Sequence, residues 1–342
     1  MTKKMAINIC KLEALTIMTT ILAKHYSLPQ KLFCGLKPTS QLTIASQPIK
    51  FKSVPECPVC DSRVVQNYGQ VKVTVARRDV VLNYDECKEC GSAFQNPVLP
   101  GKGRRLIYDE SYMQNYGSDH VNLQSPNEHI WRMVMTDNRF QSLLELAPKR
   151  PQMYLDIGFG RGLTLEIAQL YGLKAFGIDV SYAAWQEARE KGLNASHGEL
   201  SGVIEKGIIR PGSMDLITLF DVVEHYDDLM RELGLIRSIL RPGGMLYLHT
   251  PDFSTSDQEN KHRYFSLDHR FIFSQKSLRS VVEAAGFDVA ECAPSQNIGN
   301  PDHAIHPAIK EDPRFEAAAD YVEKKSSMLY EGHWHIGLVA FN

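Results

Sequence analysis

Two groups of residues in this 342-residue chain have types and spacings that can do chemistry. The first is "YLDIGFGRG", Tyr154 to Gly162, an apolar run that ends in Asp156 and continues through Gly158, Gly160 and Gly162 on alternate positions. A strand that passes through glycines straight into a helix lets the backbone approach a ligand closely, while the helix's free N–H groups point at it. The second group is "CPVC" with "CKECG", carrying Cys57, Cys60, Cys87 and Cys90. Two C-x-x-C knuckles with room for a strand pair between them offer Zn²⁺ a closed tetrahedral shell of four thiolates. A closed shell leaves no open coordination position, so the metal is expected to be structural. Iron takes the same ligands, and the spacing leaves that alternative open.

The glycine turn departs from a dinucleotide fingerprint. Its spacing is G-x-G-x-G rather than G-x-G-x-x-G, and Asp156 precedes it. An acid there would repel a pyrophosphate and attract an ammonium group. The next apolar strand ends "FGIDVS", which places Asp179 to accept hydrogen bonds from ribose hydroxyls. The element after that ends "HGEL", where Glu199 and Leu200 would set a carboxylate and an apolar wall beside an adenine ring. "MDLITLFDVVEHYDD" and "LRPGGMLYLHTPD" follow, a buried strand with an acidic, His-bearing exit and a Pro-Gly-Gly turn into another strand. His225, beside Glu224 at that exit, is the candidate catalytic base, because a reference pKa near ~6.5 suits proton transfer at neutral pH. His249, His262 and His269 lie in or just after the next strand, within reach of the same region.

These groups need elements to position them. Hydrophobic residues make up 43% and charged residues 23%, with a formal charge of -2, so an ordinary globular core is expected and a polyanion partner is not. Thiolate ligands and seven cysteines, an odd number, point to a reducing, cytoplasmic setting. The apolar run "LEALTIMTTILA" falls short of the roughly 20 residues a membrane span requires, so no span is expected. Residues 1–50 are a poorly defined extension, and 51–105 are a small β unit around the cysteines, with "VKVTV" and "DVVLNY" as strands. Residues 106–150 form a helical linker or lid. There Tyr108, Tyr112 and Tyr116 recur every fourth position, and Ile130, Trp131, Val134, Phe140, Leu143, Leu144 and Leu146 keep helical spacing up to Pro148 and Pro151. From 151 to 342 strand-like runs alternate with helical patterns, the signature of an α/β fold with a parallel sheet covered on both faces. A helix near Pro313 to Tyr330 is expected as an insert beside the acceptor site.

With these motifs in order, the run from Tyr154 to about Val289 resembles the class I S-adenosylmethionine-dependent methyltransferases, in particular the small-molecule enzymes related to quinone biosynthesis. The resemblance rests on the glycine turn, the acid on the second strand, "DVVEH", "RPGG" and "HRFIFSQKSLRSVVEAAGF". It implies a Rossmann-like seven-stranded sheet whose last strand, within "HWHIGLVAFN", is antiparallel and inserted beside the fifth. It also implies that Gly158, Gly160 and Gly162 approach the donor and that Asp156 meets its amino group. Asp179 would hold its ribose, Glu199 and Leu200 would face adenine, and Phe220 and Asp221 would line the sulfonium side. The cysteine unit ahead of this fold is similar to that of bacterial methyltransferases of polysaccharide and natural-product pathways, among them nucleotide-sugar C-methyltransferases. Those sugar enzymes continue into a further C-terminal domain, whereas this chain is expected to stop after its last strand. The expected partner is therefore a small hydroxylated or sugar-like acceptor, such as a phenol, a sugar or a polysaccharide precursor. A zinc-ribbon RNA methyltransferase and a non-catalytic cofactor-binding module are the alternatives. The near-neutral charge and the lack of an N-P-P-[YF] run count against nucleic acid.

Overall fold

A computed structural model describes residues 41–44, 47–75, 78–101, 125–252, 268–298, 303–329 and 335–342. Tyr108, Tyr112, Tyr116 and His262 lie outside the described residues.

The first strands are a hairpin, β1 (Gln41–Ile44) and β2 (Gln47–Lys50), then β3 (Val65–Val75), β4 (Arg78–Cys87) and β5 (Ala93–Gln95). β3 and β4 pair antiparallel with Val71 opposite Leu82, as two adjacent alternating runs should. Helix α1 (Pro126–Leu146) starts on a proline, whose fixed φ suits a first helical turn. The βα alternation follows as β6 (Met153–Ile157), α2 (Leu163–Leu170), β7 (Lys174–Asp179), α3 (Tyr182–Glu190), β8 (Ala195–His197), α4 (Leu200–Glu205), β9 (Met214–Phe220), α5 (Leu229–Ile239) and β10 (Leu240–Pro251). The chain then runs through β11 (Phe271–Ile272), α6 (Gln275–Ala284), β12 (Asp288–Pro294), α7 (Pro307–Lys310), α8 (Phe315–Leu329) and β13 (His335–Phe341).

Seven strands form one sheet in the order β12-β13-β10-β9-β6-β7-β8. β13 is antiparallel to both of its neighbours, β10 and β12, and the pairs β7·β6, β6·β9, β9·β10 and β7·β8 are parallel. This is the Rossmann-like seven-stranded sheet that the resemblance implies, with the closing strand inserted beside the fifth. Side chains alternate across it. Tyr154, Leu216 and Tyr247 face one layer, with α1, α2, α3, α7 and α8; Leu155, Ile217 and Leu248 face the other, with α4, α5 and α6. β6 is the switch point, with β9 on one side and β7 on the other, so a crevice opens at the strands' carboxyl ends.

The cysteine unit does not close its own sheet. Its order is β11-β5-β4-β3, so the two-residue β11, from far along the chain, completes it. Cys57, Val59, Cys87 and Phe94 belong to the same apolar cluster as α5 and α6. The seam is held by Arg270, which is 4% exposed. Its Nη1 donates to the Gln95 carbonyl at 2.6 Å, and its guanidinium stands over Phe94 and Phe271. Its own carbonyl accepts from Gln95 N–H at 3.0 Å, and its N–H donates to the Glu224 carbonyl at 2.8 Å. Tyr84 Oη donates to the His269 carbonyl at 3.1 Å. Two units sharing a core and a ladder should unfold together. Replacing Arg270 by alanine removes a charged hydrogen bond and leaves a void, at a cost of about 2–4 kcal/mol. Denaturant unfolding followed by a probe in each unit should show that loss as one transition in the wild type and a separated or broadened one in the variant.

Candidate active site

The turn after β6 is built on left-handed backbone, with φ of 75°, 53° and 79° at Gly158, Gly160 and Gly162. A side chain at Gly158 would run into Val222 Cγ2 at 2.3 Å, and one at Gly162 into Leu193 Cδ1 at 2.5 Å, so neither position admits another residue without rearrangement. Asp156 is the last residue but one of β6 and is 1% exposed. Its carboxylate accepts from the hydroxyl of Thr164, at the start of α2, and from Thr218 of β9 at 2.8 Å. Burial pushes its pKa up to about 7, with the two hydroxyls opposing. Asp179, at the end of β7, accepts from Gly160 N–H and Ser181 N–H, both at 2.8 Å, and burial raises its pKa too.

In front of the turn lies a cavity of about 430 Å³. Its floor is Asp156, Gly158, Phe159 and Thr164, and its far wall is Phe220, Asp221 and His249 from the ends of β9 and β10. Helix α1 covers it with His129, Arg132, Thr136 and Arg139, while Arg161, Glu187 and Lys191 line the remaining side. Arg132 is paired with Glu128, and Lys191 with Glu166 and Glu187. Arg139 stands 5.5 Å from the Phe220 ring centroid and has no carboxylate partner among the described residues.

Asp221 adopts φ of 55°, a costly conformation for a non-glycine residue and the kind of local strain that collects at functional sites. Its N–H donates to the His249 carbonyl at 2.9 Å, and its Oδ1 lies 3.2 Å from His249 Nδ1 and 3.7 Å from His335 Nε2. The carboxyl is half open to solvent. Enclosure raises its pKa, but His249, His335 and Arg139 outweigh this and hold it well below the usual carboxylate range. The His249 and His335 rings stack at 4.5 Å, 14° from parallel. Below this group, on the short turn Val223–His225, lie Glu224 and His225 with His269, their donor atoms also within 4.8 Å of one another, a set a divalent cation can use. His225 Nδ1 is 3.1 Å from the Asp268 carbonyl, and its ring meets His269 edge-on. Glu224 Oε2 accepts from Thr250, and burial raises the pKa of this carboxyl well above the ordinary carboxylate range.

At the other end of the seam the four cysteine sulfurs lie within 4.8 Å of one another, with Cys57–Cys90 and Cys60–Cys87 each at 3.6 Å. Zn–S bonds of about 2.3 Å in a tetrahedron require sulfurs about 3.8 Å apart, so the donor set fits that ion. Both knuckles turn alike: Asp61 and Gly91, each following the second cysteine, have φ of 55° and 74°. Their N–H groups donate to the carbonyls of Cys57 and Cys87 at 2.9 Å.

Residues 132–291 match the family model described as a methyltransferase domain. This segment is a methyltransferase domain. The ubiquinone biosynthesis O-methyltransferase of Aromatoleum aromaticum (strain DSM 19018 / LMG 30748 / EbN1) is 28% identical over 151 residues, which are 40% of this chain and 64% of that protein. The protein of the same name from Xanthomonas euvesicatoria pv. vesicatoria (strain 85-10) is 32% identical over 111 residues, 31% of this chain and 45% of that one. The chain thus spans about half to two thirds of the length of these relatives. A solved SAM-dependent methyltransferase from Archaeoglobus fulgidus is 20% identical, covers 66% of this chain and 99% of its own, and superposes with a TM-score of 0.45.

Of the residues expected from sequence, the methyltransferase domain brings Asp156, Gly158, Phe220 and Asp221 to the cavity wall. Gly160 and Gly162 shape the turn, Gly160 being tied to Asp179. Glu199 is exposed at the start of α4, and Leu200 is 3% exposed within the core cluster; neither lines the cavity. His225 also lies outside the lining, where His249 stands instead. The polar side of α1 carries no motif, although His129, Arg132, Thr136 and Arg139 are spaced three, four and three apart, one face of a helix. His335 and the threonine partners of Asp156 carried no motif.

A raised carboxyl pKa has a sign. The folded state disfavours ionised Asp156, so its full contribution holds below the unfolded-state pKa of 3.8 and is lost as pH rises toward 7. Asp156→Asn should therefore be more stable than the wild type at pH 8, by about 1–3 kcal/mol, with the gain shrinking toward pH 4. Chemical denaturation across that range checks it.

Proposed function

We propose that this protein is an S-adenosylmethionine-dependent methyltransferase whose acceptor is a hydroxyl of a small molecule. The observation that carries this is the pairing of two ionisable side chains across one cavity: the Asp156 carboxyl on its floor and, above it, the Arg139 guanidinium, which has no carboxylate within ion-pair distance among the described residues. The donor's methionine end is a zwitterion, and Asp156 would face its ammonium group while Arg139 faces its carboxylate. Asp156 keeps lone pairs beyond those used by Thr164 and Thr218, and Asp179 keeps them for a ribose diol. Glu199 and Leu200 would border the adenine end. Bound there, the donor supplies an electrophilic methyl group for in-line displacement. The chain's part is to hold the acceptor in line and keep water out, with Phe220 and Asp221 beside the sulfonium. The hydroxyl acceptor is supported by the O-methyltransferase names of the relatives, and a phenol or sugar-like molecule satisfies the same chemistry.

We also infer one Zn²⁺ in the four-cysteine shell, with a structural role, and a reducing, cytoplasmic setting in which those thiolates persist. Among the described residues no helix is long and apolar enough to cross a membrane.

Calorimetry should show S-adenosylmethionine and S-adenosylhomocysteine binding, with Arg139→Ala weakening the affinity about 10- to 100-fold. No heat with either compound would end the methyltransferase reading. A labelled-methyl screen of phenol, sugar and RNA pools then assigns the acceptor, with label in phenols or sugars expected and label in RNA alone counting against a small-molecule substrate. Elemental analysis should find one zinc per chain, and its removal by a chelator should lower the thermal midpoint. Absence of zinc from a folded preparation would contradict the structural assignment.

A further inference from the structure

Two histidines line the cavity, His129 and His249, and of these His249 carries a carboxylate on its ring. Asp221 Oδ1 sits 3.2 Å from His249 Nδ1, which directs that nitrogen's proton toward the carboxylate and leaves the Nε2 lone pair as the basic site. The arrangement is fixed from several elements. His249 lies near the end of β10, Asp221 is held by the main-chain bond from its N–H to the His249 carbonyl, His335 stacks on the imidazole from β13, and Arg139 approaches from α1. Although Asp221, His249 and His335 come close enough together to suggest a metal site, the stacking argues otherwise. Ring lone pairs lie in the ring plane, and two nearly parallel stacked planes cannot both contain one ion. A proton has no such requirement.

We propose that His249, oriented by Asp221, takes the hydroxyl proton of the acceptor as its oxygen attacks the methyl group. This rests on the methyl-transfer reading and deepens it: the cavity is fitted for an acceptor that still carries its proton at neutral pH, a phenol or alcohol rather than a preformed anion. In the step the acceptor's O–H bond and the donor's methyl–sulfur bond break and an O–CH₃ bond forms. Sulfur recovers its electron pair as a neutral thioether, and the proton stays on His249 Nε2. The imidazolium so formed faces the Asp221 carboxylate, and the proton then passes to solvent. The groups facing His249 support these charge states. Burial holds His249 below the ordinary histidine range, with Asp221 opposing and Arg139 adding to the depression, so the ring is neutral and able to accept. Burial and then His249 push His335 down to about 4, so it does not hold a competing proton at neutral pH. Asp221 stays ionised throughout.

The test uses the full chain, with 3,4-dihydroxybenzoate as the acceptor probe and labelled S-adenosylmethionine. His249→Ala should lose about 10²-fold or more in kcat, the usual contribution of a positioned base, while donor binding by calorimetry stays within about twofold. Added imidazole should restore part of the rate. Asp221→Asn removes the charge that raises the His249 pKa, so the acid limb of the kcat profile should move to lower pH as the maximum falls. His225→Ala, outside the cavity lining, should leave that limb in place. Ring-nitrogen NMR of the unliganded protein supplies a readout free of turnover: His249 should be the Nδ1–H tautomer and titrate lower in Asp221→Asn. A His249→Ala variant that binds donor and keeps the wild-type rate and profile, or an Nε2–H tautomer, overturns the assignment. A wild type that binds no donor would instead remove the methyltransferase reading and, with it, a role for His249 in methyl transfer.

Discussion

The arrangement of the cavity depends on one buried carboxylate. Asp156 is taken out of water at the end of the first strand of the main sheet, and only the hydroxyls of Thr164 and Thr218 compensate it. Those two hydroxyls belong to the helix that follows the turn and to the neighbouring strand, so the carboxylate fixes both relative to β6. Similar links continue along the carboxyl edge. Asp179 reaches back from β7 to the N–H of Gly160, and the N–H of Asp221 bonds to the carbonyl of His249 on β10. Each βα turn is thereby referenced to the strand beside it, and groups from distant parts of the chain hold positions to within hydrogen-bond lengths.

The small cysteine unit shows the same economy of construction. Its sheet lacks a strand, and its apolar residues are continuous with those under α5 and α6. A unit of this size cannot bury enough surface alone. Four sulfurs at metal-binding separation lie at one end, and at the other Arg270, next to His269, bonds to the carbonyls of Gln95 and Glu224. The turn Val223–His225 is thus tied to the cysteine unit, although none of the cysteines among the described residues lines the cavity.

Much of this was legible in the residues. Near-continuous apolar runs between helical patterns mark Met153–Ile157, Lys174–Asp179 and Met214–Phe220 as strands, because burial on both faces of a parallel sheet requires such runs. The departure of the glycine spacing and the acid ahead of it pointed away from a pyrophosphate. Other features left no such trace. β11 is two residues long and exists only because Ala93 and Phe94 pair with it, so no window of sequence could reveal it. The apolar side of helix α1 reveals it as a helix, yet its polar side, with Arg139, faces the cavity. A polar stripe is the ordinary state of a solvated helix and gives no notice that a cavity lies beneath. The meeting of Asp221, His249 and His335 is a product of tertiary structure alone, since each sits on a different element.

β13 deserves separate consideration for its place in the sheet. It lies between β10 and β12, pairs with both along most of its length and carries His335 at its start. Until it docks, two apolar strands keep open edges facing one another across an empty slot. Open edges of that kind accept any strand of matching pattern, including the same segment of another molecule. A chain in which β13 is undocked therefore offers both of these edges to strand exchange. The residue that completes the histidine stack arrives in the same event that makes the sheet safe from its neighbours.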